Sequence, residues 1–208
     1  MAINSSENQE NTSTGLGHRK LLMWTFLGSE CLFFGSLIAT HMVNRNEAGF
    51  IHGLSPACLL DIPITSISTF VLLMSSVAMV LAVSAAYRFD VKQQRLWLLM
   101  TALLGIIFLC FQAYEFQTFV NEGLTIGTNL FGSTFFTLTG FHGAHVTLGV
   151  VWILIILILS YVKPDATSNP LNTDIAGLYW HFVDIVWIVI FTVVYLIGSY
   201  GLDCGHVR

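Results

Sequence analysis

Charged side chains are scarce in this sequence. Only 10% of the 208 residues are charged, 55% are hydrophobic, and the mean hydropathy is +0.75. A soluble globular domain carries about 25% charged residues, so the composition excludes that class and indicates a protein of the lipid bilayer. The formal net charge is -4, from 8 basic and 12 acidic residues, and no basic stripe is present. Nucleic acid is therefore excluded as a partner.

Closely spaced cysteines are also missing. The chain has four cysteines, and no two of them have the spacing of a metal or redox pair: Cys31, Cys58, Cys110 and Cys204. We expect them to be small buried hydrophobic side chains. The run Cys204-Gly205-His206 lacks the first cysteine of a C-x-x-C-H haem attachment motif, so covalent haem is not indicated.

The first 17 residues have almost no apolar side chains. This segment, residues 1–17, is rich in Asn, Ser, Thr and Glu, and it buries too little surface to order itself, which predicts a disordered tail. It also lacks the basic start and the small-residue cleavage site of a secretory signal. We therefore expect the first hydrophobic helix to be retained and residues 18–208 to form one membrane domain.

Five apolar stretches follow, each long enough for the ~20 residues that a bilayer core requires. Their continuous hydrophobicity favours helices over barrel strands, which are shorter and alternate. The sequence therefore predicts an all-α membrane protein with five transmembrane helices. The fourth is longer than a perpendicular span needs and should tilt or protrude. The predicted spans are Leu21–His41, Ile64–Tyr87, Leu96–Phe119, Phe131–Tyr161 and Ala176–Ser199.

The basic residues divide unequally between the two ends of these spans. One end holds six of them, Arg19, Lys20, Arg88, Lys92, Arg95 and Lys163, and the other holds only Arg45 and Arg208. Cytoplasmic loops are the ones enriched in Lys and Arg. This distribution predicts a cytoplasmic N-terminus and, with five spans, a C-terminus outside.

One carboxyl group lies midway along the first span. Glu30 is flanked by Ser29 and Cys31, and an ionised carboxylate at that depth would cost several kcal/mol. We expect Glu30 to be protonated or hydrogen-bonded. It acts either as a polar contact between helices, which is the favoured interpretation, or as a proton carrier or lipid headgroup partner.

Two histidines lie three residues apart on the fourth span. His142 and His145 share a helix face, and small residues around them, at Thr139/Gly143 and Gly140/Ala144, would let another helix come close. A metal site needs further ligands, and none is evident at matching depth. The sequence predicts interhelical polar contacts and no metal or haem site.

The other intramembrane acids are Asp184 and Glu115. His181 and Asp184 are three residues apart on the fifth span and should be adjacent. Because no Lys or Arg lies within any predicted span, a histidine is the expected partner for each buried carboxylate. Glu115 lies near the outer end of the third span, where we expect it to reach interfacial water.

Four blocks of sequence together closely resemble subunit III of haem-copper terminal oxidases. They occur in the order found in that family and cover nearly everything from Leu21 to Ser199. The blocks are Gly28-Ser29-Glu30 with Phe33-Phe34, Gln112-Ala113-Tyr114-Glu115, Gly132-Ser133-Thr134-Phe135-Phe136 running into Thr139-Gly140-Phe141-His142-Gly143-Ala144-His145-Val146, and Tyr179-Trp180-His181-Phe182-Val183-Asp184-Ile185-Val186-Trp187.

The resemblance implies a non-catalytic subunit in a bacterial cytoplasmic (inner) membrane. It would pack on oxidase subunit I within a complex that includes subunit II, with haem and copper in those partner subunits and none in this chain. It also implies a phospholipid-holding cleft, with Glu30 near it, and support for proton uptake by the core. Compared with the longest family members, we expect the protein to lack the first two helices, as five-helix bacterial forms do.

Three other functions remain open on the sequence. The subunit could belong to a quinol oxidase, since five-helix forms are common there, or accompany a nitric oxide reductase, whose accessory protein shares the fold. A stand-alone proton-coupled transporter would use Glu30 and Asp184 as titrating groups. Transporters commonly show repeated halves and broken spans, whereas five spans cannot form equal repeats and the four prolines lie in loops or at a span edge.

Overall fold

Five helices make up most of the chain in the computed structural model, which describes residues 17–44, 62–163 and 169–197. Within these residues, five helices are long and apolar enough to cross a membrane, which confirms the all-α, five-span prediction. The helices are α1 (His18–Asn44), α2 (Ile62–Tyr87), α3 (Val91–Asn121), α4 (Leu130–Val162) and α5 (Pro170–Ile190), and a π-helical segment, Phe191–Ile197, continues α5. Residues 1–16, and with them nearly all of the predicted tail, lie outside the described residues, as do Cys58, Cys204, Arg45 and Arg208.

The helices extend beyond the apolar stretches that predict them, because caps rather than hydrophobicity decide where they begin. α3 starts five residues before the predicted span, at a cap where Asp90 Oδ1 accepts from Gln93 N at 3.1 Å. α5 starts at Pro170, and Asn169 Oδ1 accepts from Leu171 N at 2.9 Å. Proline suits this first turn because it has no N–H to leave unpaired. The apolar stretch marks the membrane-embedded part of each helix, and the helix itself continues into the polar ends.

The helices pack in two layers. α5 lies between α1 and α2 and contacts both, and α3 and α4 form the other layer, with α2 packed most extensively on α3 and α1 on α4. Ala78, Ala82 and Ala86 recur every fourth residue on α2 and are all buried, so they form part of its packing face. This arrangement encloses the aromatic side chains of α5 and leaves the outer half of α1 exposed.

Glycines on α3 and α4 admit the largest buried side chain of α5. A Cβ atom on Gly105 would lie 2.7 Å from Trp180 Cη2, and one on Gly149 would lie 2.9 Å from the same indole ring. The indole Nε1 donates to Ser75 Oγ on α2 at 3.0 Å. Trp180 therefore joins α2, α3, α4 and α5 in one contact, which a larger side chain at either glycine would disrupt.

Polar contacts tie the helices together at one end. Asp174 at the start of α5 bonds Lys20 Nζ of α1 at 2.8 Å and the Tyr87 hydroxyl of α2 at 3.0 Å. Arg95 of α3 donates to Ser160 of α4 and also lies over the Tyr161 ring, 4.1 Å from its centroid. The residues on the more basic side of the predicted topology therefore share one end of the bundle.

Candidate functional site

The carboxyl group of α1 meets a histidine of α4 inside the membrane-spanning region. Glu30 Oε2 lies 3.3 Å from His145 Nε2, and their side chains are 18% and 15% exposed. Phe34 packs edge-on against the His145 ring, with centroids 5.0 Å apart. Glu30 thus has a histidine of a neighbouring helix at ion-pair distance, and its hydrogen bonding stays a prediction.

The other ring nitrogen of His145 bonds the backbone of its own helix. His145 Nδ1 lies 2.8 Å from the carbonyl oxygen of Phe141. A carbonyl can only accept, so Nδ1 carries the proton. Nε2 is then the ring nitrogen that faces the carboxyl group of Glu30.

A third helix joins the pair through a tyrosine. The Tyr179 hydroxyl of α5 donates to the backbone carbonyl of His145 at 3.0 Å, and its ring stacks on Phe26 of α1. The carbonyls of Phe141 and His145 thus accept side-chain bonds in addition to helix bonds. α1, α4 and α5 therefore meet around one protonatable pair.

A second polar group connects α5 with α2. His181 Nδ1 lies 2.6 Å from Ser76 Oγ, and the same hydroxyl lies close to the carboxyl group of Asp184. His181 and Asp184 share this face of α5 as predicted, but Ser76 stands between them as the common neighbour. Asp184 is 5% exposed, and its Oδ1 has no hydrogen-bond partner among the described residues.

The third acid, Glu115, is enclosed by protein. It is 6% exposed and accepts a 2.7 Å hydrogen bond from the Thr65 hydroxyl of α2. Tyr195 of the π-helical segment also lies beside it. The prediction that Glu115 could reach interfacial water is wrong, because α2 and the π-helical segment cover it.

His142 makes ring contacts instead of the hydrogen bonds predicted for it. Its ring stacks on Trp187 with centroids 4.8 Å apart, and Phe108 packs edge-on at 6.0 Å. The residue is fully buried, and neither ring nitrogen has a hydrogen-bond partner among the described residues. The prediction of interhelical hydrogen bonding is therefore wrong for His142, although the residue does lie between helices.

No group of three His, Cys, Asp or Glu side chains suited to a metal ion occurs within the described parts of the chain. The acids Glu30, Glu115 and Asp184 each lie beside an imidazole or hydroxyl group of another helix.

The expectation of buried cysteines is wrong for Cys31 and Cys110, which are exposed on α1 and α3. In a membrane protein, exposed positions on a spanning helix face lipid or another protein. A small apolar side chain is as suitable there as in the core.

Comparison with known proteins decides the family. The family described as "Cytochrome c oxidase subunit III" matches residues 6–199. A cytochrome c oxidase subunit 3 of Bacillus sp. (strain PS3) is 40% identical over 193 residues, covering 92% of each chain. A quinol oxidase subunit 3 of Bacillus spizizenii is 41% identical over 179 residues, covering 86% of this chain and 87% of its own. The chain belongs to the cytochrome c oxidase subunit III family.

Membership of the subunit III family confirms the resemblance carried by the four sequence blocks. As a subunit III, the protein is a multi-pass membrane component of a multi-subunit haem-copper oxidase. Two of its sequence blocks meet at Glu30 and His145, and the block of α5 reaches the same place through Tyr179. Glu30, His145 and Tyr179, which all lie in these blocks, therefore join helices in the structure.

Sequence reasoning missed several partners of these residues. Thr65, Ser76 and Tyr179 each complete one of the three polar groups, and His41 lies 2.9 Å from Thr134 Oγ1 between α1 and α4. Hydroxyl side chains are common in transmembrane helices and usually bond their own backbone. Only the relative rotation of two helices shows which ones reach across, and no sequence pattern carries that information.

Proposed function

We propose that this chain is the non-catalytic subunit III of a respiratory oxidase of the cytochrome c oxidase type in a bacterial cytoplasmic (inner) membrane. It packs on oxidase subunit I beside subunit II, and the complex reduces dioxygen to water and pumps protons. The observation that carries this proposal is the subunit III family match over residues 6–199. The internal pairing of Glu30 with His145 supports a stabilising role.

Haem and copper belong to the partner subunits in this proposal. The two histidines nearest each other on α4 are engaged otherwise, His145 with Glu30 and Phe141, and His142 with aromatic rings. Neither arrangement directs a pair of ring nitrogens at a common point. The chain contributes packing, bound lipid and a stable environment to the core, with its N-terminus in the cytoplasm and its C-terminus outside.

The groove between α1 and α4 is the proposed phospholipid cleft. Glu30 and His145 are partly exposed along it. Further along, toward the basic end, lies a cavity of about 240 Å³ whose lining includes Trp152, Ile155 and Arg19. Apolar walls with one guanidinium at the mouth suit acyl chains and a phosphate group. The lipid would cover the half of α1 that the bundle leaves exposed.

The electron donor is proposed to be cytochrome c, with quinol as the alternative. Relatives of both kinds are similar to the chain at almost the same identity, so quinol is the second candidate. A nitric oxide reductase accessory protein and a proton-coupled transporter receive no support from these relatives. The donor binds on other subunits, so this chain's contribution is independent of it.

A deletion experiment tests the proposed function. Membranes from a strain lacking this chain should reduce dioxygen at first and then lose activity during sustained turnover, and the intact gene should restore it. Oxygen uptake with reduced cytochrome c and, separately, with a quinol identifies the donor. Unchanged sustained oxygen uptake and proton pumping without the chain would overturn the supporting role.

A further inference from the structure

His181 has a half-buried imidazole within the membrane-spanning part of α5. It lies seven residues beyond Asp174, about 10 Å further along the helix at 1.5 Å per residue. Asp174 bonds Lys20 and Tyr87 at the polar end of the bundle. His181 is therefore at hydrocarbon depth, where polar side chains almost always face other protein groups.

Only one of its ring nitrogens is used within the described chain. Nδ1 meets Ser76 Oγ at 2.6 Å, and no bond of Nε2 to a described residue is found. His145 differs from it, because both of its nitrogens are engaged within the chain. His142 differs as well, because aromatic rings enclose it completely. His181 is the histidine of α4 and α5 that offers a polar atom outward.

The residues around His181 form a continuous outer surface. On α5, Ile185 and Ile188 follow it at helical spacing and are 59% and 38% exposed. On α2, Leu73 and Val80 flank Ser76 at the same spacing and are 37% and 52% exposed. We call Leu73, Ser76, Val80, His181, Ile185 and Ile188 the α2–α5 face.

Lipid chains cannot satisfy the exposed nitrogen of this face, because hydrocarbon neither donates nor accepts a hydrogen bond. The Ser76 hydroxyl can either accept a hydrogen bond from Nδ1 or donate one to it, and Nε2 is then the acceptor or the donor, respectively. A hydroxyl or amide group on a partner can bond Nε2 in both cases. Polar side chains on a neighbouring membrane helix are the usual means of satisfying such a group.

We propose that the α2–α5 face docks on a transmembrane helix of a core oxidase subunit, which presents a hydroxyl or amide side chain to His181 Nε2. This inference rests on the proposed function, because it requires the oxidase complex. It assigns the docking contact to one side of the bundle and leaves the α1–α4 groove, on which the lipid proposal depends, free for lipid.

Photo-crosslinking in the intact complex tests the position of the contact. Benzoylphenylalanine at Ile185 should crosslink this chain to another oxidase subunit. Its matched control is Leu103 on the outer surface of α3, which is also large and 46% exposed, and it should give no protein crosslink. Crosslinking at Leu103, or no crosslinking at Ile185, overturns the proposal. Haem subunits that co-purify with the tagged wild-type chain show separately whether the proposed function stands.

Three variants test the histidine itself. After detergent solubilisation, His181→Leu should lose this chain from the complex several-fold faster than wild type, whereas His181→Gln should retain it, since an amide can still bond the partner. Ser76→Ala removes the internal bond of His181, together with the hydroxyl beside Asp184, and leaves Nε2 in place, and it should also retain the chain. If Ser76→Ala released the chain as fast as His181→Leu, the histidine would act within the bundle and the proposal would fail.

Discussion

At the scale of single residues, each acid within the membrane-spanning helices lies beside a polar group that can pair with its carboxyl. Glu30 and His145 lie 3.3 Å apart across α1 and α4, Asp184 lies beside the hydroxyl that also bonds His181, and Glu115 accepts a hydrogen bond from the Thr65 hydroxyl. Each acid thus has a partner on another helix. These contacts join helices, and their substitution should affect packing and attachment before it affects oxygen reduction.

Glu30 provides the first residue-scale prediction. Glu30→Gln keeps the shape and a donor for His145 Nε2, so assembly, oxygen reduction and proton pumping should remain nearly intact. Glu30→Ala opens a void and removes the bond, and such contacts contribute about 0.6–2 kcal/mol in membranes. It should lose bound lipid and sustained turnover, both measured on the purified complex. If Glu30→Gln abolished pumping with lipid and assembly unchanged, the carboxyl would titrate in the cycle and the structural role would be wrong.

His142 provides the second residue-scale prediction, and His145 serves as its control. Because neither nitrogen of His142 has a partner in the described bundle, His142→Phe should leave thermal stability within about 0.5 kcal/mol of wild type or raise it. His145→Phe strands the carboxyl of Glu30 and should cost about 1–3 kcal/mol. Thermal dissociation of the subunit, followed in detergent, measures both. Equal losses in the two variants would mean that His142 is hydrogen-bonded after all.

At the scale of helices, close contact depends on where glycine is placed. Gly105 and Gly149 lie against the Trp180 ring, whereas Gly28 on α1 has no other side chain within 4 Å of an added Cβ. Of the small pairs predicted on α4, Gly143 is approached by Gln112, but Gly140 has open space beside it. Sequence spacing identifies small residues, and only the packed helices show which of them another helix uses.

The same substitution at two glycines tests this account. Gly105→Ala would place Cβ 2.7 Å from Trp180, and the overpacking should cost about 1–3 kcal/mol. Gly28→Ala meets nothing and should be neutral or slightly stabilising, because alanine favours helix by about 1 kcal/mol. Thermal unfolding of the subunit, monitored by tryptophan fluorescence, compares them. A Gly28→Ala loss as large as that of Gly105→Ala would contradict the assigned packing.

At the scale of the whole molecule, the sequence predicted the number and type of helices because long apolar runs depend only on local composition. It also predicted that a histidine would lie beside a buried carboxyl, as His145 does beside Glu30, since few groups at membrane depth can pair with a carboxyl. It did not predict the enclosure of Glu115, because this depends on the π-helical turn that brings Tyr195 beside it. Helix rotation and such turns follow from packing of the complete bundle.

The orientation of the molecule gives a further prediction. Phe89, between α2 and α3, and Ile126, between α3 and α4, are exposed at opposite ends of α3. In a cysteine-free background, a membrane-impermeant maleimide should label Phe89→Cys only from the cytoplasmic side, because the basic residues gather at that end. It should label Ile126→Cys only from outside. The reverse pattern would contradict the predicted cytoplasmic N-terminus.

Purification of the tagged chain from its native membrane tests the central claim most directly. If the chain is subunit III of a haem-copper oxidase, it should bring with it haem-containing subunits, and the reduced-minus-oxidised optical spectrum should show their haem bands. The chain freed of those subunits should show no Soret band. A chain that purifies alone without haem absorption, or that carries stoichiometric haem after separation from its partners, would contradict the account.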